Sequence, residues 1–314
     1  MGINAFSLGY WLVSKIAFVF PGQGSQYVGM GKALYESSKS VMDAADKALE
    51  ISLTDIMFNG PMESLKQTDI TQPAIFLHSY VVFNQIKNLK PDMVAGHSLG
   101  EYSALVAAGA LNYIDALKLV RARGKAMFQS GIEVPGTMAA IIGLEANRVD
   151  EICAEVSKSN IVQSANFNSP GQVVISGTIE GVHQAMKVAK DSGAKLVKEL
   201  VVSGAFHSPL MSSAKDELSS KLEETQINNA TIPVYTNVTA KPTFDNNEIR
   251  QLLVEQLSAP VKWEETIENM IANGATKFYE IGPGKVLQGL IKRIDRNVEV
   301  FGIENLNDLT GVNV

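Results

Sequence analysis

Gly96-His97-Ser98-Leu99-Gly100 constrains this chain more than any other stretch. It follows the apolar run Met93-Val94-Ala95 and leads into Glu101-Tyr102-Ser103-Ala104-Leu105-Val106-Ala107-Ala108, a helix-forming sequence. A strand, a glycine-flanked serine and a helix predict a nucleophile elbow. Glycine suits the flanks because the backbone turns sharply there and a Cβ would crowd whatever approaches the serine. The helix that follows aims unpaired N–H groups at the turn, where an oxygen gaining negative charge in acyl transfer would sit. A structural turn can carry the same pattern, so the chemistry rests on which other residues accompany Ser98.

Strands and helices alternate around the elbow. Ile16–Phe20 reads as a buried strand, ended by Pro21-Gly22-Gln23-Gly24, and helical patterns cover Leu34–Leu49, Gln72–Leu89 and Ile114 to about Gln129. This alternation predicts an α/β fold with a mostly parallel sheet, whose sites lie at the carboxyl ends of strands. Between about Val134 and Val202 the order changes. Strands are expected at Met138–Gly143, Ile161–Asn166, Gln172–Gly177 and Lys195–Val201, with helices at Ala146–Ser159 and Ile179–Ser192. That β-α-β-β-α-β order is the ferredoxin-like unit, with residues 167–171 as the turn between its middle strands. The chain is therefore read as a hydrolase-like large α/β domain in two parts, residues 1–133 and 203–314. A ferredoxin-like small domain, residues 134–202, is inserted between them. The second part carries a helix near Met211–Glu224, a strand at Pro233–Asn237, a helix at about Glu248–Leu257 and a strand–turn–helix over Phe278–Ile294. Residues after Asn305 read as a loose polar tail. Residues 1–12 read as an extension, lacking the basic start and cleavage site of a signal peptide.

With 314 residues, 46% of them hydrophobic, the chain can bury a full core. No apolar run reaches the length of a membrane span, and a net charge of −6 argues against nucleic acid as a partner. The single cysteine, Cys153, excludes an internal disulfide and fits a cytoplasmic location. Beside Ile152 on a helix it reads as a core thiol. No His/Cys/Asp cluster has metal-ligand spacing, so neither metal nor cofactor is expected.

A serine nucleophile needs a base. Of the four histidines, His183 lies beside Gln184 and Lys187 on an amphipathic helix and reads as solvated. His78, in Ile75-Phe76-Leu77-His78-Ser79-Tyr80, reads as a hydrogen-bonded core residue. His97 points away from its neighbour Ser98 at the sharp turn and would line the pocket. His207 remains, in the Gly- and Pro-bounded loop Gly204-Ala205-Phe206-His207-Ser208-Pro209, a natural place for a site residue. No carboxylate stands out to complete a triad, since Asp216 and Glu217 read as surface charges. A backbone carbonyl or side-chain amide would orient the ring instead, making a Ser-His dyad.

Arg121 and Arg123 share one helix but lie about 200° apart on it. The neighbours of Arg123 three and four residues away are Leu119, Val120, Ala126 and Met127; those of Arg121 are Leu117, Lys118, Gly124 and Lys125. Arg123 is thus expected to rise from the buried stripe and Arg121 to face water. A buried guanidinium keeps its charge and needs an anion, from the protein itself or from a substrate. The loop Gly22-Gln23-Gly24-Ser25-Gln26-Tyr27-Val28-Gly29 fails both the dinucleotide and the P-loop patterns. Backbone N–H groups that complete an oxyanion hole suit it better. Gly282-Pro283-Gly284-Lys285 is a further strand-to-helix turn, either structural or lining the site.

Together these stretches, with Arg123-Gly124-Lys125, Asn166-Phe167-Asn168-Ser169-Pro170-Gly171-Gln172 and Glu280-Ile281-Gly282-Pro283-Gly284-Lys285-Val286-Leu287, resemble the malonyl-CoA:acyl carrier protein transacylases of type II fatty acid synthesis. The resemblance runs from about Lys15 to Leu309. It implies transfer of a malonyl group from coenzyme A to the phosphopantetheine thiol of acyl carrier protein, through an acyl-enzyme on Ser98 with His207 as its partner. It further implies an oxyanion hole from the N–H groups of Gln23 and Leu99, and an Arg123 that pairs with the malonate carboxylate. A backbone carbonyl near Gln256 would hold His207, and His97, Gln256 and Asn166 would border the substrate. Phe206 matches the malonyl-selective form. The implied partners are malonyl-CoA and acyl carrier protein, with no nucleic acid or membrane, and the chain is expected to be a monomer. Acyl carrier protein is acidic and so is this chain, so docking calls for a local basic patch; Lys195, Lys198, Lys292 and Arg293 are the candidates. Two other readings stay open. A serine hydrolase could use the same elbow but would have no use for a buried Arg123. A non-catalytic module could keep the fold, against the intact set of Ser98, His207, Arg123 and Gln256.

Overall fold

The computed structural model describes residues 14–311, so the expected extension over residues 1–12 lies outside the described residues. The described residues contain eleven strands: β1 (Lys15–Phe20), β2 (Met93–Gly96), β3 (Thr137–Ile142), β4 (Val162–Ser169), β5 (Gln172–Gly177) and β6 (Leu196–Glu199), then β7 (Val234–Tyr235), β8 (Pro242–Thr243), β9 (Val261–Lys262), β10 (Ala275–Ile281) and β11 (Glu299–Ile303). Six form one sheet in the order β11-β10-β1-β2-β7-β8, parallel throughout except for the β7–β8 edge. The other five form a second sheet, β6-β3-β5-β4-β9. There the pairs within residues 137–199 are antiparallel, and β9 joins β4 in parallel.

β1 runs through the middle of the first sheet, and both of its faces are covered. Its sequence is accordingly apolar without alternation from Ala17 to Phe20. Phe18 and Phe20 point to one side, where the helices Thr68–Gln85, Gly100–Ala107 and Tyr113–Glu133 pack with them. Ala17 and Val19 point to the other, against the helices Trp263–Ala272 and Val286–Ile294. The second sheet covers one face with its own helices, Ala146–Val156 and Ile179–Asp191, which bury Ile152, Cys153, Val182 and Ala185. Its opposite face contributes Met138, Ala165 and Val174 to the core of the first sheet. That face forms a roof over the carboxyl end of β2, where Ser98 lies.

Several elements depart from the expectations above. The strand expected to end at Asn166 continues to Ser169, so the turn shrinks to Pro170-Gly171. The tail after Asn305 is ordered into a short helix, Leu306–Gly311, because Asp308 Oδ2 accepts from the N–H groups of Glu304 and Asn305, each at 2.9 Å. The helix expected from Gln72 begins at Thr68, which places Pro73 inside it. Proline has no N–H to give the Asp69 carbonyl. Arg121 takes that carbonyl instead and also pairs with the Asp69 carboxylate at 3.0 Å. Arg121 therefore does not face water: its side chain is 13% exposed.

At the elbow, a Cβ on Gly96 would lie 1.9 Å from the main chain of Gly100, and one on Gly100 would lie 2.1 Å from Phe20 O. Both are backbone atoms, which cannot give way as a flexible side chain would. Gly96→Ala is therefore expected to cost about 3 kcal/mol or more, measured by chemical denaturation. Gly289 on the helix Val286–Ile294 meets nothing within 4 Å. Gly289→Ala is expected to stabilise the protein by about 0.5 kcal/mol in the same assay.

Candidate active site

β2 ends at Gly96 and the next helix starts at Gly100, leaving Ser98 in the left-handed region with φ +50°. A non-glycine residue stays in that region only when its surroundings hold it there. Asn237, at the end of the segment that carries β7, supplies the hold. Its Oδ1 accepts from Ser98 N at 2.6 Å, and its Nδ2 donates to Gly96 O at 2.7 Å. Its own N–H donates to Glu101 Oε2 at 2.9 Å. Gln256 Nε2 adds bonds to Ser98 O at 3.1 Å and to Glu101 Oε2 at 2.9 Å.

Ser98 Oγ lies 2.9 Å from His207 Nε2. The other ring nitrogen, Nδ1, lies 2.8 Å from the main-chain oxygen of Gln256. A carbonyl can only accept, so Nδ1 carries the hydrogen and Nε2 presents a lone pair to the serine hydroxyl. Gln256 ends the helix Asn246–Glu255, where carbonyls lack intrahelical partners and the helix dipole is negative. Gln163 on β4 fixes the histidine's own backbone, donating to His207 O at 2.8 Å and Ser258 O at 3.0 Å. Burial, and then the nearby guanidinium of Arg123, push the His207 pKa down to about 3. The ring is a free base at neutral pH.

Arg123 is fully buried. Its Nη1 donates to Gln72 Oε1 at 2.8 Å, and its Nη2 donates to Gln256 Oε1 at 2.9 Å and to Ser98 Oγ at 3.0 Å. The guanidinium carbon stands 5.8 Å from the centre of the Tyr102 ring. All of these hydrogen-bond partners are neutral, and Nε has none. Neutral acceptors solvate a cation without cancelling its charge. A carboxylate delivered to Ser98 would meet a guanidinium with no anion among its direct hydrogen-bond partners.

A cavity of about 130 Å³ opens over Ser98. Gln23, His97, Leu99 and Asn166 border it, and Met127, Met138, Val202 and Phe206 make its walls largely apolar. His97 Nε2 donates to Asn168 Oδ1 at 2.9 Å, which turns the ring away from Ser98. Among the described residues, neither the Gln23 nor the Leu99 N–H has a hydrogen-bond acceptor. A groove of about 530 Å³ lies elsewhere, between Lys118, Lys125, Glu217 and Lys221, but it contains no nucleophile and base in contact. Size alone does not locate the chemistry.

The remaining histidines sit as their sequence contexts suggest. His78 is buried with Nε2 2.9 Å from Glu304 O, and His183 is half exposed beside Glu199. Cys153 is a buried free thiol. Among the described residues no group of His, Cys, Asp and Glu could hold a metal, and no helix is long and apolar enough to cross a membrane. Sequence reading did not single out Asn237, Glu101, Gln72 or Gln163 as site residues. Two of them left a trace. Glu101 is the one acid in an otherwise apolar helix, and Asn237 ends a strand on the side where α/β sheets place their sites.

Residues 17–304 match the family model described as an acyl transferase domain. A malonyl CoA-acyl carrier protein transacylase of Bacillus subtilis (strain 168) is 46% identical over 299 residues, covering 93% of this chain and 94% of that protein. The crystal structure of an acyl carrier protein S-malonyltransferase from Vibrio cholerae superimposes with a TM-score of 0.91 at 43% identity, over 96% of this chain and all of that one. A malonyl-transacylase solved in complex with its type II PKS acyl-carrier protein gives a TM-score of 0.90 at 40% identity, over 95% of this chain and 98% of that one. This chain belongs to the acyl transferase domain family and, within it, to the malonyl-CoA:acyl carrier protein transacylases.

Proposed function

We propose that this chain moves a malonyl group from coenzyme A to the phosphopantetheine thiol of acyl carrier protein, through an ester on Ser98. The observation that carries the malonyl assignment is Arg123. It is a buried permanent cation, 3.0 Å from Ser98 Oγ, surrounded by neutral hydrogen-bond partners. An enzyme for neutral acyl groups would gain nothing from it.

The geometry supports a ping-pong reaction. His207 Nε2 takes the Ser98 proton as Oγ attacks the thioester carbonyl. The carbonyl oxygen becomes negative and is received by the N–H groups of Gln23 and Leu99, at about 3 kcal/mol per donor. The C–S bond then breaks, and the proton on His207 goes to the leaving coenzyme A thiol. The carrier-protein thiol enters by the same steps in reverse, giving its proton to His207 and restoring Ser98. Gln256 O steadies the ring as it charges and discharges. Arg123 holds the malonate carboxylate, and His97, Asn166 and the Gln256 side chain border the acyl chamber, with Phe206 limiting its width.

Four exposed basic residues form the proposed docking area for acyl carrier protein. Arg293 hydrogen-bonds Gln172 at the start of β5, and Lys195 N–H bonds Ile142 O on the adjoining strand. These two thus flank the same end of the second sheet. Lys198 lies further along β6, and Lys292 Nζ reaches back to Val298 O at 2.6 Å. The architecture is read as a hydrolase-like α/β domain, residues 1–133 and 203–314, with a ferredoxin-like insertion over residues 134–202. The order β6-β3-β5-β4 supports that reading. A lone buried cysteine fits a cytoplasmic site of action.

Mixing the protein with malonyl-CoA and weighing it intact tests the assignment. A malonyl adduct is expected, and none in Ser98→Ala; an adduct that survives the substitution would sink it. Arg123→Ala should lower malonyl transfer by about 100-fold, the equivalent of ~3 kcal/mol of charge-assisted binding, while acetyl transfer persists. Equal losses for both acyl groups would make Arg123 structural. Because the base acts unprotonated and its pKa lies at about 3, kcat/KM should not fall between pH 7 and pH 5. An ordinary histidine near 6.5 would lose roughly 30-fold over that range, and that result would contradict the depressed value.

A further inference from the structure

Glu101 is 2% exposed on the first turn of the elbow helix, and no step of the transfer uses it. Its Oε2 accepts two hydrogen bonds, from Asn237 N–H and from Gln256 Nε2. The second decides which way the Gln256 amide faces. With Nε2 committed to Glu101 and Ser98 O, Oε1 is turned toward Arg123, where it receives Nη2 at 2.9 Å. Anion, amide and cation stand in line.

Among the described residues, the groups that face Glu101 leave Arg123 as its only positive neighbour. Asn237 and Gln256 are neutral. The Tyr102 phenol on its own helix is held protonated by burial, and burial likewise keeps His97 and His207 uncharged. Without substrate the site therefore holds one buried cation and one buried anion. An acyl carboxylate that reaches Arg123 adds a second anion, and like charges in a dry site favour protonation of one of them. Burial has already pushed the Glu101 carboxyl up to about 7, whereas His207 would have to rise from about 3.

We propose that Glu101 is the internal counter-ion of Arg123 and a positioning residue for malonyl transfer. It aims the guanidinium through the Gln256 amide, and it takes up a proton from solvent when Arg123 receives the acyl carboxylate. The proton goes to Oε1, the oxygen not engaged with Asn237 and Gln256. An acyl group without a carboxylate draws no proton. Glu101 thus couples recognition of the acyl charge to a neutralisation inside the protein. This rests on the malonyl-transfer reading above.

Calorimetry of ligand binding to Ser98→Ala, in buffers of different ionisation enthalpy at pH 8, counts the protons directly. Uptake close to one proton per malonyl-CoA is expected, with none for acetyl-CoA. The double variant Glu101→Gln, Ser98→Ala should bind malonyl-CoA without uptake. Undiminished uptake in the double variant, or none in Ser98→Ala, overturns the proposal. Failure of Ser98→Ala to bind malonyl-CoA would instead overturn the malonyl reading, and this proposal with it. Should Glu101→Gln not fold, difference infrared spectroscopy of Ser98→Ala answers the same question. A protonated carboxyl band should appear on adding malonyl-CoA and stay in place when the malonyl carboxylate carries carbon-13. No band, or one that moves with the label, overturns the proposal.

Discussion

The buried guanidinium of Arg123 sets the terms for every polar group around Ser98. It cannot shed its charge, so its neighbours must solvate it without quenching it. Two amide oxygens and a serine hydroxyl do this, and each is held in turn. Gln72 rides on a helix that packs along the arginine's own helix. Gln256 is turned by Glu101, and Ser98 is held at its N–H by Asn237. The same positive charge helps keep His207 a free base, because a second cation so close would be repelled.

The site draws one residue or a few from each of several distant segments, and the fold explains how they meet. Parallel strands deliver the elbow at their carboxyl ends. The helix Tyr113–Glu133 carries Arg123 across beneath it, and the buried C-terminal end of the helix Asn246–Glu255 offers a carbonyl to His207. Polar groups that a helix or turn leaves unpaired thus become the working groups of the site. Pro73 shows the same economy at a distance, since the carbonyl it cannot satisfy becomes the anchor of Arg121.

Features that depend on neighbours in sequence are legible in the chain itself. The elbow, the loop around His207 and the buried stripe that carries Arg123 each announce themselves within a few residues, and the fold brings the three side chains together. Arg121 shows the limit. Its helical neighbours are polar, which points outward, yet its partner is a carbonyl released by a proline about fifty positions earlier, and periodicity holds no information on that. The short strands β8 and β9 are equally illegible. Two residues are too few to show alternation, and each exists because a strand from elsewhere in the fold offers it an edge, β7 for β8 and β4 for β9. Gln72 and Gln163 are uncharged and carry no pattern, so their significance arises only when elements far apart in sequence converge.

One connection bears on how the cleft over Ser98 can move. The second sheet leaves the first near residue 134 and returns near 202, and two adjacent crossings would make a simple hinge. β9, however, comes from the later part of the chain and is hydrogen-bonded to β4, while Gln163 on β4 grips the backbone of His207 and of Ser258. A third attachment off the hinge line resists rotation, as a stay resists the swing of a door. Opening the cleft at that side would also drag the imidazole from its serine. Any shift of the roof at that side is therefore tied to the position of the base.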